Sequence, residues 1–120
     1  MGLQGVTDRS AVTGAELDAY VDLLKREDGG RAFLQIMRGF ERTPAKRDLY
    51  RSVLGSERYP VQVVWGAQDP ALKLDPPGEA ARRAAGATTI RCLPAKHFLH
   101  EDQAPAIAEL VAAITRLSRA

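Results

Sequence analysis

With 120 residues the chain has room for one domain and not for two. Its hydrophobic share of 45% and charged share of 27% are globular values, which exclude a disordered segment. The formal charge of +2 is small, and the arginines at 26, 31, 38, 42, 47, 51, 58, 82 and 83 are scattered, mostly among carboxylates, so no nucleic-acid footprint is expected.

The first twelve residues form a leader without a clear period. They show neither a charged start nor an apolar stretch of signal-peptide type, and no apolar run approaches the roughly 20 residues a membrane span needs. Cys92 is the only cysteine, which rules out an internal disulfide. The expected protein is soluble and cytoplasmic, without membrane or nucleic-acid partners.

Thr13-Gly14-Ala15-Glu16 is a capping box, in which hydroxyl and carboxylate satisfy each other's free amides. Leu17, Tyr20, Val21 and Leu24 follow at helical spacing. Gly29-Gly30 interrupts the pattern, and Phe33, Ile36, Met37 and Phe40 make a second helical stripe. That stripe reads as packing, with a substrate-wall role for Phe33, Met37 and Phe40 as the alternative. Thr43-Pro44 opens a third helix carrying Leu49, Tyr50, Val53 and Leu54, and Gly55 ends it.

After Pro60 the texture changes. Residues 61–65, Val-Gln-Val-Val-Trp, have the nearly continuous apolar character of a strand covered on both faces, with Trp65 in the core. A Gly/Pro/Asp-rich loop at 66–77 leads to a short helix at 79–85. Residues 88–93 read as a second strand stopped by Pro94, with Cys92 as a buried inert thiol. A histidine loop follows, anchored by Phe98 and Leu99. The last helix is expected from about Asp102, with Ile107, Leu110, Val111 and Ile114 on one face and Glu101-Asp102 matching its dipole.

The second half therefore alternates strand, helix, strand, helix, which predicts an α/β crossover with parallel strands. Two parallel strands leave unpaired edges, so this part reads as the end of a larger sheet. Open α/β sheets place ligands at the C-terminal ends of their strands. Here those ends carry Trp65-Gly66-Ala67-Gln68-Asp69-Pro70 and Lys96-His97-Phe98-Leu99-His100-Glu101-Asp102. A carboxylate and an imidazole on adjacent strand ends form the acid and base of a nucleophile–base–acid triad. A metal site is not expected, since His97, His100, Glu101 and Asp102 fall short of a ligand set with proper spacing.

The two segments resemble the C-terminal portion of an α/β-hydrolase of the haloalkane dehalogenase and epoxide hydrolase branch. The resemblance covers residues 59–120, and the helices of residues 1–58 would correspond to a leader and part of a cap. It implies that Asp69 is the acid, with Asp75 the alternative in the same loop, and that His97 is the base. It implies no cofactor and a small-molecule substrate, an ester, alkyl halide or epoxide. Relatives often carry glycine before the histidine, where Lys96 stands here. The nucleophile's G-x-Ser-x-G or G-x-Asp-x-G elbow is missing: none of Ser10, Ser52, Ser56, Ser118 or the aspartates sits in such a frame. The elbow is expected upstream of Met1, and the chain alone is expected to be inactive. The alternatives are a degenerate non-catalytic binding module and one half of a split hydrolase completed by a second chain.

Overall fold

A computed structural model describes residues 5–117. Helices α1 (Gly14–Lys25), α2 (Arg31–Arg38) and α3 (Pro44–Leu54) come first, then strand β1 (Val63–Gly66), helix α4 (Glu79–Ala84) and strand β2 (Ile90–Leu93), and finally helices α5 (Leu99–Asp102) and α6 (Ala104–Leu117). The architecture is mixed helix and strand.

Each helix start has its physical reason. The Thr13 amide donates to Glu16 Oε2 at 2.7 Å and the Glu16 amide to Thr13 Oγ1 at 3.3 Å, closing the predicted capping box. Thr43 Oγ1 accepts from the Lys46 amide at 3.2 Å, and Pro44 takes the first helical position. Between α1 and α2 the chain turns through Gly29 and Gly30 at φ of 68° and 91°. Asp28 supplies the cap there, accepting from the amides of Gly30 and Ala32 at 2.9 and 2.6 Å.

The strands pair in parallel, Val63 opposite Ile90 through to Gly66 opposite Leu93, as the crossover pattern predicts. Both are shorter than the expected 61–65 and 88–93. The ladder begins at the Val63–Ile90 pair. The last helix, expected from about Asp102, is α6 from Ala104, and a short helix α5 not read from the sequence precedes it, the two separated at Gln103 with φ of −124°.

The main departure is in burial. Val6, Val12, Val63 and Ala95 are the buried apolar residues, while Phe33, Ile36, Met37 and Phe40 are exposed. The stripe expected to pack is left largely uncovered among the described residues. Cys92, expected inside, is exposed for the same reason, and Trp65 is half-buried. The surface is 9232 Å², whereas a compact monomer of 13.1 kDa exposes roughly 6,400 Å². The radius of gyration is 16.7 Å, against roughly 14 Å for a compact chain of this length. No described helix is long and apolar enough to cross a membrane.

So little apolar burial predicts weak cooperativity for the chain alone. Urea unfolding should be broad, with a slope below that of a compact domain of this length, and the native protein should bind a hydrophobic dye before denaturant is added. A sharp two-state transition without dye binding would contradict this picture.

Candidate active site

The two strand tips are held together by a continuation of their ladder. Past Gly66 and Leu93, the Ala67 amide donates to the Leu93 carbonyl and the Gln68 amide to the Ala95 carbonyl, both at 2.9 Å. Gly66 makes this approach possible. A Cβ at that position would collide with the Lys96 carbonyl oxygen and lie 2.7 Å from that of Ala95. Only a residue without a side chain fits where the two loops cross.

The acid loop is closed on itself. Asp69 Oδ1 accepts from the amides of Ala71 and Leu72 at 2.8 and 2.9 Å. The Trp65 indole N–H donates to the Leu72 carbonyl at 2.9 Å, so Trp65 braces the loop as well as filling space. With Oδ1 committed, Oδ2 points across to the second loop and meets His97 Nδ1 at 2.8 Å. The acid and base named from the sequence are thus in direct contact, 28 residues apart in the chain. Asp75, the alternative acid, sits exposed in the irregular turn Leu74–Gly78 and makes no bond to His97. Lys96 avoids the left-handed backbone region, so a lysine before the histidine costs this loop nothing in conformation.

Burial, the largest single influence on Asp69, pushes its carboxyl up. Hydrogen bonds from Leu72, His97 and Ala71 together outweigh burial and hold the group below its ordinary value of 3.8. The carboxylate therefore contributes stability at neutral pH. Since the unfolded chain binds the proton more tightly, that contribution is complete above 3.8 and disappears as pH falls through the lower folded value.

Exposure divides the pair into two roles. The Asp69 side chain is 7% exposed and the His97 side chain 40%. With Asp69 ionised, the shared proton belongs on Nδ1, which leaves Nε2 as the lone-pair acceptor. Nε2 makes no hydrogen bond among the described residues. The arrangement can take a proton from an attacking hydroxyl or water, while the carboxylate orients the ring and stabilises the imidazolium. No described nucleophile is bonded to it: Ser10 donates to Asp8 at 2.6 Å and Ser52 to the Leu49 carbonyl at 2.8 Å.

The leader contributes more than its lack of period indicates. The Phe98 amide donates to the Gly5 carbonyl at 2.8 Å, and Asp102 Oδ2 accepts from the Thr7 and Asp8 amides at 2.6 and 3.1 Å. Asp102 therefore ties the leader to the histidine loop, instead of serving the start of a long last helix. Glu101 Oε1 accepts from the Tyr20 hydroxyl at 2.8 Å, fixing α1 to α5 and holding the Tyr20 phenol above its ordinary value. A close-approach role for Gly66 could be read from a glycine ending a strand pattern. Docking of the leader on Asp102 has no local signal, because its partners are 95 and 94 residues away.

Beside the dyad lies an apolar groove of about 410 Å³, walled by Val6, Leu17, Tyr20, Leu24, Phe33 and Phe98 among others. The Phe98 ring stands edge-on to the His97 ring at 5.2 Å. Neither Asp69 nor His97 lines this groove. Phe33 does, whereas Met37 and Phe40 do not.

Comparison of the chain with protein-family models, curated proteins and solved structures finds no match.

Gly66→Ala should force the two loops apart, at about 1–3 kcal/mol, the usual cost of overpacking. The amides of Ala67 and Gln68 should then exchange with solvent about tenfold faster or more, while the helical signal in circular dichroism persists. Unchanged protection at both amides would show that the crossing is not close.

Proposed function

We propose that this chain carries the acid–base half of an α/β-hydrolase site, with Asp69 orienting His97 and His97 acting as general base toward a nucleophile or water. The observation that carries the reading is the 2.8 Å contact between Asp69 Oδ2 and His97 Nδ1 at the C-terminal tips of two adjacent parallel strands. In that role Nε2 takes a proton from a serine hydroxyl before attack on an ester, or from water attacking a covalent ester made by an aspartate. Ester and alkyl halide or epoxide chemistry are divided by the nucleophile. No residue of this sequence fills an elbow frame, so the nucleophile comes from another polypeptide segment and the substrate is a small molecule. No cofactor or metal enters the proposal.

Large exposed apolar area favours a second reading, a binding module that uses the same fold without turnover. The excess surface fits either a nucleophile-bearing partner or a non-catalytic one, and the histidine separates them.

Alone, the chain should hydrolyse p-nitrophenyl acetate and 1-chlorobutane at the background rate. Co-expression with a strand–elbow–helix segment that binds it should give turnover of at least one of these, abolished by His97→Ala in the complex. A stable complex with no His97-dependent turnover would favour the binding module. His97-dependent turnover by the lone chain would overturn the claim that it is incomplete.

A further inference from the structure

The arginines that look scattered in sequence are not scattered in space. From residue 31 to 54, six basic residues face only two acidic ones, Glu41 and Asp48, although the whole chain carries just +2. Three of the six, Arg42, Arg47 and Arg51, line one groove of about 500 Å³ where the link between α2 and α3 meets α4 at Ala80. Its other main walls are the aromatic rings of Phe40 and Tyr50.

Both carboxylates near the groove are already engaged. Glu41, which also lines it, accepts from the Thr43 hydroxyl at 2.8 Å and pairs with Lys46 at 3.7 Å. Asp48 pairs with Arg47 at 2.9 Å. That leaves Arg42 and Arg51 without a carboxylate hydrogen bond. The Arg42 guanidinium rests instead over the Phe40 ring, 5.8 Å from its centroid, a contact that pre-positions its donors. Like charges gathered on one rim repel each other, and an anion seated between them removes that penalty.

We infer that this groove binds a planar aromatic phosphate ester. The argument for phosphate is donor number: one carboxylate is satisfied by one guanidinium fork, while the two uncommitted forks of Arg42 and Arg51 match the several oxygens of a phosphate dianion. The argument for an aromatic ester is the lining, since Phe40 and Tyr50 flank the arginines and the volume exceeds what an inorganic anion fills. Neither Asp69 nor His97 lines the groove, so the site stands apart from the acid–base pair.

Adenosine monophosphate serves as the probe, with adenosine and inorganic phosphate as its two halves, each titrated calorimetrically into the full chain. AMP should bind saturably and at least about tenfold more tightly than either half, and binding should weaken with added salt. R42Q/R51Q should weaken AMP about tenfold or more with unchanged circular dichroism, whereas His97→Ala should leave it unaltered. Should R42Q/R51Q unfold, AMP-induced amide shifts in the unsubstituted chain decide the matter: they must centre on residues 40–51. AMP binding no tighter than adenosine, indifferent to both arginines, or mapped elsewhere would overturn the inference.

Discussion

The hydrogen bond between Asp69 and His97 depends on a backbone approach that only a glycine permits. At Gly66 the acid loop passes so near the Lys96 and Ala95 carbonyls that a methyl group has no space. That proximity extends the parallel ladder beyond the strands, through Ala67 and Gln68, and sets the distance between the loops that carry Asp69 and His97. Asp69 is then locked by two backbone amides, so its remaining oxygen has one direction to point. The geometry of the pair follows from main-chain contacts, which are insensitive to side-chain entropy and hold even where the surrounding fold is thinly packed.

Thin packing is the other governing feature. A two-stranded parallel sheet has two free edges, and its three leading helices present Leu, Ile, Met and Phe side chains to solvent. The excess of surface, roughly 2,800 Å² over a compact monomer, is of the size buried in large, permanent interfaces. A pair well formed at two loops and poorly enclosed around them fits the proposal that a further segment completes it. The same openness leaves the His97 side chain 40% exposed while that of Asp69 is 7% exposed.

Local chemistry made much of this readable in sequence. The Thr13–Glu16 box, the Thr43-Pro44 start and the Gly29-Gly30 break each depend on neighbours a few residues away, and α1, α2 and α3 start where those signals place them, although α2 ends at Arg38, short of Phe40 in its stripe. The parallel strands and the Asp69–His97 contact follow from the strand–helix–strand order. Burial was less legible. The apolar stripe at Phe33, Ile36, Met37 and Phe40 and the strand residue Cys92 have the pattern of core, but whether a pattern is covered depends on what faces it. Long-range ties such as Asp102 to the leader amides leave no trace in local composition. The arginine groove was missed although Arg47 and Arg51 stand four apart on α3 and Arg42 lies just before its cap, because that spacing was read only for apolar residues.

The protonation of the His97 ring tests the central claim most directly. Nitrogen-15 NMR of the imidazole at neutral pH reports which ring nitrogen holds the proton. Asp69 at 2.8 Å predicts a proton on Nδ1 and a bare Nε2, with the preference lost in Asp69→Ala. A proton found on Nε2, or a tautomer ratio unchanged by that substitution, would mean that the carboxylate does not govern the ring and that the two strand tips do not form an acid–base pair.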